Sequence, residues 1–245
     1  MNLEHKTIVL TGGSSGVGLD LLSRLIERNS VINLSRTAPP DDVTKRHASF
    51  THIETDLSDP KSVASAIAQI NTAYPNGIDG LINCGAVQFL PKFSDGDFEP
   101  AAIAKEIAVN FTSPAELIAG LLEGMRKRKK AFVLNVNSGL AIVPKLESAV
   151  YCATKAGLDN LTRGLRAQLA GTNVSMQQAF LPLVDTPMTK GRGTGKISSA
   201  SVANQIIRQI ESEKPDLDIG KVKLLRVINR LSPALANRIM QKGDA

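Results

Sequence analysis

Tyr151 and Lys155 stand four residues apart in Tyr-Cys-Ala-Thr-Lys. In a helix, that spacing sets both side chains on one face, one turn apart. A phenol has an ordinary pKa near 10, so tyrosine exchanges protons poorly at neutral pH unless its surroundings lower that value. At roughly 4 Å and an effective dielectric of about 20, an ammonium and a phenolate interact by about 4 kcal/mol. Each pKa unit is about 1.4 kcal/mol, so a drop of about two to three units is available before desolvation takes some back. The pair therefore reads as a general acid/base, with Tyr151 moving the proton and Lys155 holding its pKa down. A solvated pair on a helix surface has the same spacing, so the surrounding pattern has to decide.

The second chemical feature is Thr11-Gly12-Gly13-Ser14-Ser15-Gly16-Val17-Gly18, directly after the apolar run Thr7 to Leu10. Glycines between a strand and a helix allow a tight turn and let the backbone approach a pyrophosphate, which then sits on the helix N-terminus. Gly12, Ser14, Ser15, Gly16, Val17 and Gly18 are accordingly expected to contact a dinucleotide. The spacing differs from the ordinary G-x-G-x-x-G fingerprint, but its place between strand and helix gives it weight. Cofactor choice turns on the end of the next strand, which reads Ser35-Arg36-Thr37. An acidic residue there accepts hydrogen bonds from a ribose 2′-hydroxyl; an arginine binds a 2′-phosphate bidentately, with Ser35 and Thr37 as further donors. NADP(H) is the expected cofactor and NAD(H) the second choice.

These residues need a scaffold. Short apolar runs alternate with helical patterns along the whole chain. Thr7 to Leu10, Val31 to Leu34, Phe50 to Glu54, Leu81 to Asn83, Phe132 to Val136 and Val174 to Phe180 read as buried strands. Helices are expected over Leu19 to Arg28 and from Asp59-Pro60 to Ala73, the latter with an aspartate cap and a proline at its first position. The segment Ile107 to Met125 has helical apolar periodicity and ends in the basic run Arg126 to Lys130, which complements a helix dipole. Strands buried on both faces and alternating with helices imply an α/β fold, a doubly wound parallel sheet in three α/β/α layers. No linker, repeat or composition shift divides residues 1–245, so a single domain is expected.

Composition narrows the function classes. The chain has 245 residues, 42% hydrophobic and 21% charged, with a net charge of +6, ordinary values for a soluble globular protein. No apolar run is long enough to span a membrane and no secretory leader is evident, so a cytoplasmic location is expected. Cys84 and Cys152 do not make a disulfide framework, and His5, His47 and His52 have no metal-ligand spacing. Aromatic residues make up only 4%, without basic interleaving, which argues against nucleic-acid stacking. Thr189 to Ser199, with three glycines and the basic residues Lys190, Arg192 and Lys196, reads as a loop, either solvated or closing over an anionic or cofactor-filled cleft.

Together these features resemble the short-chain dehydrogenase/reductase family over nearly the whole chain. Beside the glycine turn and the Tyr-Lys pair, the family's strand-end motif matches Asn83-Cys84-Gly85-Ala86, its acidic position matches Asp56 followed by Leu57, its catalytic Asn matches Asn110 and its Ser matches Ser138. The resemblance implies that Ser138, Tyr151, Lys155 and Asn110 act in catalysis. Ser138 would bind a substrate oxygen, Lys155 would hold the nicotinamide ribose and Asn110 would anchor a relay water. Asp56, Leu57, Asn83, Gly85, Val184 and Thr186 would contact the cofactor. The family's usual Pro-Gly is here Pro182-Leu183, which alters the backbone beside the nicotinamide. Family habit implies a dimer through the helices carrying Asn110 and Tyr151.

The implied substrate is a small carbonyl/alcohol compound with a hydrophobic part, in a pocket lined by Val87, Phe89, Leu140, Ile142, Val143 and Leu183. A regulatory dinucleotide-binding protein on the same fold is the rival reading, since fold does not fix function. Residues 221–245 form a basic amphipathic tail with Leu224, Leu225, Ile228, Leu231, Leu235 and Ile239. Packing on the parent domain is expected ahead of an anionic membrane surface. This tail and Gly195-Lys196-Ile197-Ser198 are similar to reductases encoded beside teichoic-acid D-alanylation genes.

Overall fold

The computed structural model describes residues 1–45 and 49–241; His47 and residues 242–245 of the basic tail lie outside the described residues. Its main strands are β1 (Thr7–Thr11), β2 (Ser30–Ser35), β3 (Phe50–Glu54), β4 (Gly80–Asn83), β5 (Ala131–Ser138) and β6 (Val174–Leu181). Val184–Asp185 (β7) and Ile197–Ser198 (β8) pair as a separate two-stranded ribbon. Asp216–Asp218 (β9) completes a seven-stranded sheet in the order β3-β2-β1-β4-β5-β6-β9, parallel at every pairing. The strand order reverses between β1 and β4, which opens a crevice at their carboxyl ends.

Alternation along the strands builds two cores. Ile8 and Leu10 face one way, packing with Leu21 and Leu25 of α1 (Gly16–Leu25) and with Val202 and Ile206 further along the chain. Val9 faces the other way, packing with Val63 and Ile70 of α3 (Pro60–Ala73) and with Leu117 and Leu121. Each such side chain, fully buried, contributes about 1.5–3 kcal/mol. A one-residue slip would exchange the two sets, so the register of β1 is strongly specified. The remaining helices are α2 (Asp41–Thr44), α4 (Ala101–Ile107), α5 (Ser113–Arg126), α6 (Ala149–Gln168), α7 (Ser199–Ser212), α8 (Val222–Leu231) and α9 (Pro233–Gln241). Helices α1 and α7 cover one face, and α3 and α5 the other.

Several boundaries differ from the sequence expectation. Helix α1 begins at Gly16 rather than Leu19 because it emerges straight from the glycine turn, with Ser15 as its cap. The segment from Ile107 to Met125 contains a π-helical turn, Ala108–Thr112, between α4 and α5, a bulge to which apolar periodicity is blind. Strand β9 was not anticipated: Asp-Leu-Asp has little strand character, and its place at the sheet edge rests on pairing with β6. Helix α3 begins as expected, with the Asp59 carboxylate accepting from the Lys61 amide.

The tail packs on the body through one face only. Val222 and Ala236 are buried, and Arg226 pairs with Asp218 at 2.7 Å while stacking on the Phe180 ring. Leu224, Val227, Leu231, Leu235 and Ile239 are exposed. Among the described residues no helix is long and apolar enough to cross a membrane.

Candidate functional site

A cavity of about 440 Å³ opens where β1, β4 and β5 end, beside the reversal in strand order. The glycine turn forms one wall. Gly12 has a φ of +72°, and a Cβ on it would lie 2.7 Å from the Gly85 Cα. A Cβ on Gly18 would lie 2.1 Å from the Gly12 carbonyl oxygen, far inside contact distance. Backbone therefore packs on backbone, and only glycine permits it. Ser15, the N-cap of α1, makes no capping hydrogen bond, so the first amides of that helix keep their hydrogen-bonding capacity for an anion. This cradle fits the pyrophosphate of a dinucleotide.

Two residues not among the expected site residues hold the turn. The Asn33 Oδ1 accepts from the Gly13 amide at 2.8 Å, and the Thr11 hydroxyl accepts from the amides of Cys84 and Gly85 at 3.0 and 2.9 Å. Their signal was available: a polar residue in an apolar strand, such as Asn33 in Val-Ile-Asn-Leu, must find a buried partner.

At the far end of the cavity lie Ser35, Arg36, Thr37, Asp56 and Leu57. Arg36 and Thr37 are exposed, and Ser35 is buried. The Ser35 hydroxyl donates to the Thr37 carbonyl at 2.7 Å and accepts from Asn33. Its proton is thus committed within the chain, and the expected donation to a phosphate falls to Arg36 and Thr37. The Asp56 carboxylate accepts from the Ser58 hydroxyl and amide at 2.7 and 2.8 Å. These bonds, helped by the nearby Arg36, hold its pKa below the ordinary carboxylate range.

The opposite wall carries the expected acid/base pair. Tyr151 and Lys155 both lie on α6, both are buried, and both line the cavity with Ser138 from the end of β5. The Lys155 ammonium donates to the Val136 carbonyl at 3.0 Å and lies 5.7 Å from the centre of the Tyr151 ring. The electrostatics differ from the sequence expectation. Burial pushes the Tyr151 phenol up to about 12; a hydrogen bond with Ser138 pulls the other way, and the lysine is not among the groups that shift it. Burial also brings Lys155 down to about 8. Desolvation disfavours both charges and outweighs the pairing, because the ammonium is turned to a backbone carbonyl. At neutral pH the phenol is a proton donor.

The other expected site residues divide. Ser14, Ser15, Gly16, Val17, Gly85, Val184 and Thr186 line the cavity. Asn83 lies behind its wall: its amide donates to Asn135 Oδ1 at 2.8 Å, and Asn135 donates to Thr162. Asn110 sits in the π-helical turn, fully buried, with its amide donating to the Val87 carbonyl and its oxygen accepting from the Val87 amide. That side chain is spent on positioning the segment after β4. Of the expected apolar lining, Val87, Leu140 and Leu183 face the cavity, while Phe89, Ile142 and Val143 do not. Leu225 of α8 and Met240 of α9 take part instead. Gln88 was missed, and Arg192 was expected only as one of the loop's basic residues; the Arg192 guanidinium donates to Gln88 Oε1 at 2.9 Å, which ties the 189–199 loop over the opening.

The short chain dehydrogenase family profile matches residues 6–196. The chain is 30% identical over 238 residues to the uncharacterized oxidoreductase DltE of Bacillus subtilis (strain 168), covering 94% of each chain. It is 27% identical over 233 residues to the D-beta-hydroxybutyrate dehydrogenase of Rhizobium meliloti (strain 1021), covering 90% of this chain and 89% of that one. Among solved structures it resembles a short chain dehydrogenase from Burkholderia cenocepacia J2315 crystallised in complex with NADP. The TM-score is 0.86 at 22% identity, with 98% of this chain and 100% of that one covered.

Proposed function

The chain belongs to the short-chain dehydrogenase family, and on that premise we propose that it is an NADP(H)-dependent oxidoreductase that interconverts a carbonyl and an alcohol, with Tyr151 as general acid/base. One observation carries this reading: a single cavity is walled by the glycine cradle with Arg36 on one side and by Ser138, Tyr151 and Lys155 on the other. A bound nicotinamide would supply the hydride to the carbonyl carbon, or accept it in the reverse direction. The rest falls to the chain. Gly12 to Gly18 would hold the pyrophosphate, Arg36 the 2′-phosphate, and Asp56 the adenine end. Ser138 orients the carbonyl oxygen, and the Tyr151 hydroxyl gives it the proton as charge develops there. Lys155 stands one turn behind the phenol, where it can bond a ribose hydroxyl once a cofactor turns it from Val136.

Support for NADP(H) over NAD(H) comes from Arg36 at the β2 end and from the absence of a carboxylate there. The Asn110 side chain is assigned to positioning Val87. We also assign a homodimer to the outer faces of α4 and α6, where Phe93, Ile103, Ile107, Phe111, Val150 and Ala153 form an apolar groove. The experiment for the catalytic reading is a screen of aldehydes, ketones and alcohols followed by NADPH absorbance, repeated with Tyr151→Phe. Turnover in the wild type and its loss in the variant, with NADPH affinity retained, is the expected result. Equal turnover in both would remove Tyr151 from the mechanism.

A further inference from the structure

We propose that the substrate is an oxo or hydroxy acid whose carboxylate docks on Arg192, across the cavity from the reacting carbon. The inference rests on the oxidoreductase reading above and adds to it a substrate class.

The side chains facing the cavity include several cations and, among the described residues, one acid, Asp56. Asp56 belongs to the Arg36 end and already accepts two bonds from Ser58. On the Tyr151 side the basic groups are Lys155, whose ammonium donates to the Val136 carbonyl behind the phenol, and Lys145 and Arg192. Lys145 pairs with Glu147 at 3.2 Å. Arg192 has no carboxylate partner among the described residues; its one protein bond goes to the neutral Gln88 at 2.9 Å. Gln88 in turn donates to the Ser148 hydroxyl at 3.1 Å, and Ser148 is the residue from which α6 starts, three positions before Tyr151. The guanidinium is thereby tethered to the catalytic helix through uncharged groups that orient it without neutralising it.

A guanidinium carries five N–H donors in a planar fork. Four of Arg192's are left for a ligand, and a carboxylate matches two of them bidentately. Its charge also reaches Tyr151, where it favours the phenolate. The loop is held in place: Lys196 donates to the Thr189 carbonyl at 2.6 Å. Apolar side chains at Leu140, Leu183, Leu225 and Met240 complete this end, so the acid is expected to carry a hydrocarbon portion. The cofactor phosphates do not compete for Arg192 in this scheme, since their cradle and Arg36 lie at the other walls.

The test uses the full chain saturated with NADPH and titrates butyrate, hexanoate and octanoate against the amides of the same lengths, by calorimetry. The acids are expected to bind at least tenfold tighter than their amides. Arg192→Gln, which keeps a hydrogen bond available to Gln88, should erase that preference, and Arg192→Lys should retain part of it. NADPH affinity should stay within twofold in both variants. Acids and amides binding equally to the wild type, no binding of either, or an unchanged preference in Arg192→Gln would each overturn the proposal. So would a tenfold loss of NADPH affinity in Arg192→Gln, which would reassign the arginine to the cofactor. An acid preference without turnover of any carbonyl compound would leave this site standing and sink the catalytic reading instead.

Discussion

Lys155 lies 5.7 Å from the centre of the Tyr151 ring, yet its ammonium donates to the Val136 carbonyl at 3.0 Å and not to the phenol. The pair is thus held in reserve. Burial moves Tyr151 up to about 12 and Lys155 down to about 8, each toward its neutral form.

Tyr151→Phe keeps the ring and removes the proton. A general acid/base contributes about 10²–10⁴-fold, and a loss of that size in kcat is expected, with NADPH affinity within twofold. The pH dependence follows from the sign of the shift. Reduction uses the protonated phenol, which predominates well below about 12, so this residue imposes no alkaline loss on reduction between pH 6 and 9. Oxidation uses the phenolate and should accelerate as pH rises from 6 to 9. An oxidation rate that is flat over that range would count against the assignment, and stopped-flow rates in both directions check it.

Lys155 also makes a stability prediction. Its folded pKa, about 8, lies below the unfolded value near 10.4. Between those values the unfolded chain binds more protons, so the folded state gains stability as pH rises through that window. Wild type should therefore gain about 2 kcal/mol on Lys155→Met between pH 7 and 9.5. Urea unfolding at the two pH values measures the gap; a constant gap would mean that the lysine is not desolvated.

Arg36→Ala tests cofactor choice. Loss of a charge-assisted guanidinium–phosphate contact costs about 1.4–3 kcal/mol, or roughly tenfold to a hundredfold in affinity. NADPH should weaken by that factor and NADH should not change. Equal weakening of both would place Arg36 on adenine rather than on the 2′-phosphate.

Gly18→Ala tests the cradle. Its Cβ would meet the Gly12 carbonyl oxygen at 2.1 Å, so the turn must open. Overpacking of this kind costs about 1–3 kcal/mol, and dinucleotide binding should fall more than tenfold. Gly96→Ala, where a Cβ meets nothing within 4 Å, serves as the control. Thermal unfolding and NADPH titration of the two variants make the comparison.

Ile107→Asp tests the dimer. Ile107 is 42% exposed and borders the apolar groove on α4 and α6. A charge there should convert dimer to monomer in light scattering, with the fold retained by circular dichroism. A wild type that is monomeric at micromolar concentration would refute the assignment outright.

Much of this was legible in the residues. Apolar runs such as Thr7 to Leu10 and Val31 to Leu34, separated by helical stretches, are enough to specify parallel strands, because a strand buried on both faces has no polar alternation. The glycine turn was legible because part of its steric exclusion is local: Gly12 has a φ of +72° and a Cβ on Gly18 would strike the Gly12 carbonyl, whereas the approach of Gly12 to Gly85 is tertiary. The four-residue spacing of Tyr151 and Lys155 guaranteed a shared helix face for the same local reason.

What the chain order does not encode locally, the tertiary structure decided. The direction of the lysine ammonium depends on β5 passing beneath α6, which presents the Val136 carbonyl. Desolvation of the phenol depends on every element around the cavity, so its sign is invisible to pair spacing. Asn83 and Asn110 have the right identity and order, yet their amides are consumed by Asn135 and Val87. Arg192 and Gln88 are 104 positions apart and became one unit only when the 189–199 loop folded over the strand ends. Propensity, spacing and steric exclusion act within a few residues and can be read in order. Burial, field and hydrogen-bond competition are sums over neighbours in space, and those neighbours exist only in the fold.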